Sequence, residues 1–357
     1  LFEVIVPLII LIVSLFIVIK AADIFVDNIV EIGTALGVSQ ILLGVTAAAI
    51  GTSLPEFGSS LLATISHSSE MGVGIVLGSN IWNVAGILGI TAVVTGIVKA
   101  DEKSINRDGL VAVVTGLILM GVMSLAFLAN GSNPTISLFN ISAIGALIMV
   151  LFYVYYFKVL IKDQKEDIKT FKKEAANRIK EKKEIIEDDS ENYTEYREII
   201  EEKKKKIKLK AVLLTIVSIV GLAIACDLLV SSAVDLSRIF GIPQTIMGLF
   251  TLAIGTSIPE LVVTLGSAMK GLHDLSMGTV FGSVTFNILI PIGLLSFFAP
   301  ISVEPLSLYF DAPVMIAIAA ITLLLMKYNN MKLTRIHGVF LIAFYLAYVY
   351  LRIFILG

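Results

Sequence analysis

AIGTSLPE occupies residues 49–56 and AIGTSIPE returns at 253–260, each inside a long apolar run. Both copies set two hydroxyls, a proline and a glutamate where a membrane-spanning helix would be most apolar. Pro55 has no N–H and its ring clashes with the carbonyl of Gly51; Pro259 does the same to Gly255. Freed carbonyls in hydrocarbon are tolerated only where they are buried in protein or line a polar cavity. One copy alone reads as an ordinary proline kink patched by Thr and Ser. The glutamates change that reading, because a charge at the bilayer centre costs about 2.5–3.5 kcal/mol on insertion scales. No Lys, Arg or His lies deep in an apolar run to pair with Glu56 or Glu260; His67, His273 and His337 fall near run ends. Protonated glutamates or carboxylates facing bound cations remain, and both suit cation transport.

The surrounding composition is that of a polytopic membrane protein: 357 residues, 57% hydrophobic, 16% charged, mean hydropathy +0.92. Ten apolar runs suit helices crossing a ~30 Å hydrocarbon core: 4–20, 39–65, 71–98, 109–129, 136–160, 210–232, 244–269, 276–299, 309–327 and 336–356. None alternates as barrel strands do. The expected fold is therefore all-α, with ten transmembrane helices. The first run lacks a basic n-region and a small-residue cleavage site, so it reads as a span rather than a signal peptide. A single cysteine, Cys226, excludes a disulfide framework or thiolate metal site within the chain.

Charge is concentrated between residues 158 and 210, which hold 14 of the 29 acidic residues and most of the basic ones. With the N-terminus outside, the remaining basic residues divide 8 to 2 in favour of the cytoplasm, Arg238 and Arg352 being the two outside. Residues 161–209 then form a cytoplasmic insertion. Its helix formers and i,i+4 charge pairs, such as Glu174 with Arg178, predict a solvated helical hairpin. A regulatory cation site at Glu187, Asp188, Asp189 and Glu191 is the alternative, but the segment lacks the glycine turn of an EF-hand loop.

Shifting the chain by 204 residues lays 39–90 over 243–294 without a gap, with 16 of 52 positions identical. The register continues upstream, where Asp23 meets Asp227 and Gly37 meets Gly241. Each half holds five spans, an odd number, so the second half enters from the opposite side. The predicted organisation is an inverted repeat, 1–160 and 210–357, joined by 161–209. Secondary transporters with such repeats bind substrate near the midplane, on interrupted helices at matching positions.

A second pair of motifs fixes a depth. GSNIWN puts Ser79 and Asn83 on one helix face and GSVTFN does the same for Ser283 and Asn287. Glu56 lies 27 residues before Asn83, as Glu260 does before Asn287, and both intervals are centred on polar turns. Antiparallel helices leaving one turn bring Glu and Asn to equal depth, about 20 Å from it at 1.5 Å per residue. Taken singly, each Asn reads as an interhelical hydrogen bond. Asn80 aligns with Val284, an asymmetry the repeat does not explain.

The candidate site is a cage of oxygens from Thr52, Ser53, Glu56, Ser79, Asn83, Thr256, Ser257, Glu260, Ser283 and Asn287, with backbone carbonyls near Ala49 and Ala253. Oxygen-only ligation selects hard cations: Ca²⁺ takes about 6–8 oxygens in flexible geometry and Mg²⁺ keeps its waters, while softer metals would want His or Cys. Two glutamates carry −2, which one Ca²⁺ or two Na⁺ neutralise; three Na⁺ leave +1 to cross the membrane field. No prosthetic group or nucleic acid is expected, and no protein partner can be inferred from the sequence.

GTSLPE with GSNIWN, and GTSIPE with GSVTFN, resemble the two alpha-repeats of the sodium/calcium exchangers in the cation/calcium exchanger superfamily. The likeness extends over the ten-helix layout and the loop after the fifth helix. It implies an antiporter, not an enzyme, that extrudes Ca²⁺ across the cell membrane on an inward Na⁺ gradient. It also implies adjoining Na⁺ and Ca²⁺ sites at Thr52, Ser53, Glu56, Thr256, Ser257 and Glu260, extended by Ser79, Asn83, Ser283 and Asn287. The first and sixth helices are then expected to slide across this core. Some archaeal and potassium-dependent relatives carry an acid where Asn287 stands, and its absence here argues against potassium co-transport. The rival readings are a Ca²⁺/H⁺ antiporter using the same glutamates, a cation channel, and an intramembrane hydrolase. The last lacks any base placed to serve Ser53 or Ser257.

Overall fold

The structure is a computed structural model and describes residues 2–35, 50–66, 68–102, 105–131, 134–137, 142–185 and 208–356. Apolar runs with few charges satisfy their backbone groups internally as helices, the only open-chain solution in hydrocarbon. In chain order these are α1 (Phe2–Ala35), α2 (Leu54–Ile65), α3 (Ser69–Thr95), α4 (Ile105–Asn130) and α5 (Ser142–Ile185). The second half gives α6 (Leu209–Phe240), α7 (Gln244–Thr256), α8 (Ile258–Met269), α9 (His273–Leu295), α10 (Ser307–Tyr328) and α11 (Arg335–Ile355). Among the described residues eight helices are long and apolar enough to cross a membrane, and α7 with α8 form a further crossing bent by 44°. Of the predicted span 39–65 only 50–65 falls among the described residues; Ala49 lies outside them, as do Glu187, Asp188, Asp189 and Glu191.

Two helix ends follow local chemistry. α6 stops at Gly241, whose left-handed φ of 64° suits a residue without a Cβ, and the Ile242 N–H closes back on the Ser237 carbonyl. α5 was expected to leave the membrane near 160, but the helix runs on to Ile185. The residues beyond 160 are helix formers without Gly or Pro. Leaving the membrane here is a change of composition, not of secondary structure.

Short bridges between loops fix the relative directions of the central helices. β1 (Ile97–Lys99) pairs antiparallel with β4 (Lys332–Thr334), and β2 (Thr135–Ile136) with β3 (Ile301–Ser302). The Ser302 N–H donates to Ser69 Oγ at 3.1 Å, joining the start of α3 to the end of α9. The Asp101 N–H donates to Asp274 Oδ1 at 2.7 Å, joining the end of α3 to the start of α9. α3 and α9, which carry GSNIWN and GSVTFN, therefore run antiparallel. The bridges also require the α7–α8 pair to cross fully. A re-entrant hairpin there would put β1 and β4 on opposite faces.

α3 and α9 form the centre, 89% and 78% buried across their spans, whereas α1 and α6 lie at the perimeter, 17% and 28% buried. α1 and α6 pack along each other, and α6 also touches α2, where Cys226 is buried against Gly58 and Ser59. α3 meets α7 backbone to backbone. A Cβ on Gly78 would sit 2.1 Å from the Leu249 carbonyl oxygen, and one on Gly248 2.3 Å from that of Met71. Overpacking of this kind costs about 1–3 kcal/mol, and here the obstructing atoms are backbone. Gly78→Ala is expected to lower the melting temperature in detergent and to broaden the transition. A melt unchanged from wild type would show that α3 and α7 can separate freely.

Candidate cation site

The two proline motifs fold alike. Ser53 (φ −88°, ψ 2°) and Ser257 (φ −83°, ψ 11°) leave helical geometry at the same position, and Pro55 and Pro259 open the helices that follow. A serine at a helix start ordinarily caps an amide two or three residues on. Neither does so here. Ser53 Oγ donates to Glu260 Oε1 at 3.0 Å, and Ser257 Oγ donates to Glu56 Oε1 at 2.6 Å. Each half thus holds the carboxylate of the other, and the two bonds are reciprocal. Glu56 and Glu260 are 1% and 0% exposed, so neither faces lipid. Among the described residues no basic side chain pairs with either, and the second oxygen of each has no protein partner.

The helices behind depart from α geometry at the asparagines. α3 widens into a π segment over Trp82–Ile87, so the Asn83 carbonyl is reached by the Leu88 N–H, five residues on. Such bulges recur at functional sites. In α9 the same place is loosened by Pro291, which lacks the N–H that would reach the Asn287 carbonyl. Asn83, Asn287 and Ser283 are fully buried, and among the described residues neither the asparagine amides nor the Ser283 hydroxyl has a hydrogen-bond partner. A buried polar atom left unpaired costs about 1–3 kcal/mol. Such atoms, gathered on two central helices, fit a site that offers oxygens to a cation.

Not every expected oxygen is equally available. Ser79 Oγ donates to the carbonyl of Val76 at 3.2 Å, within its own helix. The Ala253 carbonyl accepts the Ser257 N–H at 3.2 Å, so the broken turn frees it only in part. Thr256 Oγ1 donates to the Leu252 carbonyl at 2.9 Å and keeps its lone pairs for another partner. Two polar residues escaped the repeat-based reading. Asn80 is fully buried, with its amide nitrogen on the Val76 carbonyl and its oxygen unpartnered. Thr285 is likewise buried with a lone hydroxyl. Their counterparts at shift 204 are Val284 and Ile81, so a search by symmetry passes over both.

This mirrored carboxylate site sits in a recognisable chain. The profile of the sodium/calcium exchanger protein family matches residues 6–162 and 210–354. The chain belongs to the sodium/calcium exchanger family. The unmatched interval coincides with the charged insertion. Sodium/calcium exchanger MaX1 of Methanosarcina acetivorans is 31% identical to it, covering 97% of this chain and 98% of the relative. Inner membrane protein YrbG of Escherichia coli is 28% identical, covering 88% and 87%. The solved structure of the sodium-calcium exchanger NCX_Mj has the same fold, with a TM-score of 0.59 at 22% identity over 96% of this chain and 97% of the other. This exchanger is accordingly an integral membrane protein that exchanges cations, a transporter and not an enzyme.

Proposed function

We propose that this exchanger moves Ca²⁺ against Na⁺ by alternating access, through a single oxygen site between the two halves. The observation that carries the reading is the reciprocal pair of Ser–Glu hydrogen bonds, 3.0 and 2.6 Å long. They bring one carboxylate from each half to a shared, lipid-free position. The oxygens proposed to complete the site are the hydroxyls of Thr52, Ser53, Thr256, Ser257, Ser79 and Ser283, the amide oxygens of Asn83 and Asn287, and the Ala253 carbonyl. Ca²⁺ takes about 6–8 oxygens in flexible geometry, and this set can provide them. The NCX_Mj crystals soaked with Na⁺, Ca²⁺ and Sr²⁺ point to the same class of hard cation. One Ca²⁺ cancels the two carboxylates, and so do two Na⁺; a third Na⁺ would make transport respond to voltage.

The site works as an exchanger if it discharges one ion only on loading the other. Bare carboxylates in a low-dielectric interior are costly, so the emptied site resists reorientation while either loaded form moves. The Lys99–Lys332 pairing in the β1–β4 bridge, and Lys208 on Glu31 at 2.8 Å, support one basic face. We assign that face and 161–209 to the cytoplasm of the cell membrane, with the N-terminus outside.

In proteoliposomes loaded with Na⁺ and clamped in pH, dilution into Na⁺-free medium is expected to drive ⁴⁵Ca²⁺ uptake, and monensin to abolish it. Uptake that follows an imposed pH gradient without Na⁺ would assign proton coupling instead. Uptake that needs no counter-ion would make the protein a channel.

A further inference from the structure

The correspondence between the halves extends beyond the ungapped repeat. α5 carries tyrosines at 153 and 156 and α11 at 345 and 348, two YxxY pairs separated by 192 residues rather than 204. The twelve-residue shortfall hides them from the alignment. In each half the second tyrosine binds a buried aspartate in the π turn that opens the preceding helix. Tyr156 Oη donates to Asp108 Oδ1 at 3.1 Å, and Tyr348 Oη donates to Asp311 Oδ1 at 2.9 Å. In each half a guanidinium ties that aspartate to a second carboxylate. Arg107 joins Asp108 to Asp163, and Arg352 joins Asp311 to Glu304. Asp108 follows β1 and Asp311 follows β3, so the anchors stand at opposite membrane faces.

From each anchor an aromatic path runs inward. The rings of Tyr153 and Tyr156 lie 6.5 Å apart, and those of Tyr345 and Tyr348 6.4 Å apart. Tyr153 meets Phe286 of α9 at 5.7 Å, and Tyr345 meets Trp82 of α3 at 5.0 Å. Trp82 and Phe286 are partners at shift 204, and each immediately precedes a site asparagine, Asn83 or Asn287. Each half therefore reaches across to the asparagine helix of the other. Ring pairs at such separations are directional as well as apolar, and a tyrosine hydroxyl fixed on a buried ion pair has little freedom.

We infer that Asp108–Tyr156–Tyr153–Phe286 and Asp311–Tyr348–Tyr345–Trp82 are two positioning relays. They set the rotation and depth of Asn287 and Asn83 in the cation site from opposite faces of the membrane. The inference rests on the cation-site reading above.

Trp82 is the only tryptophan in the chain, so its emission reports one relay independently of transport. Tyr345→Ala is expected to shift that emission and to raise the apparent KM for ⁴⁵Ca²⁺ about three- to tenfold with the maximal rate retained. Tyr345→Phe, which keeps the ring, restores both. Tyr153→Ala raises KM by a similar factor and leaves the Trp82 emission in place. Tyr348→Phe, which removes only the anchoring hydroxyl, moves the emission. Wild-type KM in both alanine variants overturns the inference, even if the emission moves, because the rings would then be packing alone. A wild-type protein without Na⁺-driven uptake overturns the exchange reading instead. The Tyr348→Phe spectrum then decides the relay, and emission identical with wild type overturns it.

Discussion

Glu260→Gln is expected to fold as wild type does and to lose Na⁺-driven Ca²⁺ uptake by at least about 100-fold, and Glu56→Gln to do the same. Glutamine keeps the volume of glutamate, and its carbonyl can still accept the Ser53 hydroxyl that Glu260 Oε1 accepts at 3.0 Å. The fold therefore loses little, and two buried like charges become one. The ion loses far more. Removing one charge from a buried, paired set costs about 3–5 kcal/mol, and every ~1.4 kcal/mol is tenfold in affinity. The two substitutions should be equivalent, because each glutamate is held by the serine of the opposite half. Size-exclusion profiles and melting curves beside ⁴⁵Ca²⁺ uptake separate the two effects. Uptake at wild-type level in both variants would remove the glutamates from the site.

Much of this architecture can be read from residue types alone, for a physical reason. A bilayer demands about 20 apolar residues per crossing, so the spans are written in composition. The break at Ser53 and Ser257 is likewise local, since proline enforces it wherever it stands. Identical motifs at one offset then pair the halves. The partners across the two halves were not legible. Counting from the turns ties Glu56 to Asn83 within one repeat, yet the shortest contact of Glu56 is with Ser257 of the other, at 2.6 Å. Packing across halves has no local signal. The π segment at Trp82–Ile87 has no counterpart in α9, where Pro291 does similar work, so symmetry could not point to it. Asn80 and Thr285 were lost to the same filter.

Arg352 is a case in which the residue type is plain in the sequence and its environment is not. Charge counting treats it as one of two basic residues on the outer face, yet it is 1% exposed. Its Nε lies 3.1 Å from Asp311 Oδ1 and its Nη2 2.7 Å from Glu304 Oε2, while Asp311 also takes the Tyr348 hydroxyl. Such a residue does not count as a free positive charge. The same burial predicts a large loss on truncation. Arg352→Leu leaves Asp311, itself 0% exposed, without its counter-charge, and uncompensated buried charge costs about 3–5 kcal/mol. The variant is expected to melt well below wild type or to be lost during extraction. Adding Asp311→Asn should recover most of that loss, because asparagine removes the stranded charge and its amide oxygen can still accept from Tyr348. The recovery is the discriminating result. If Arg352 acted by filling space, the double variant would be no more stable than the single one. A single variant as stable as wild type would mean that water or lipid headgroups already reach Asp311, and that the pair contributes nothing to holding α10 against α11.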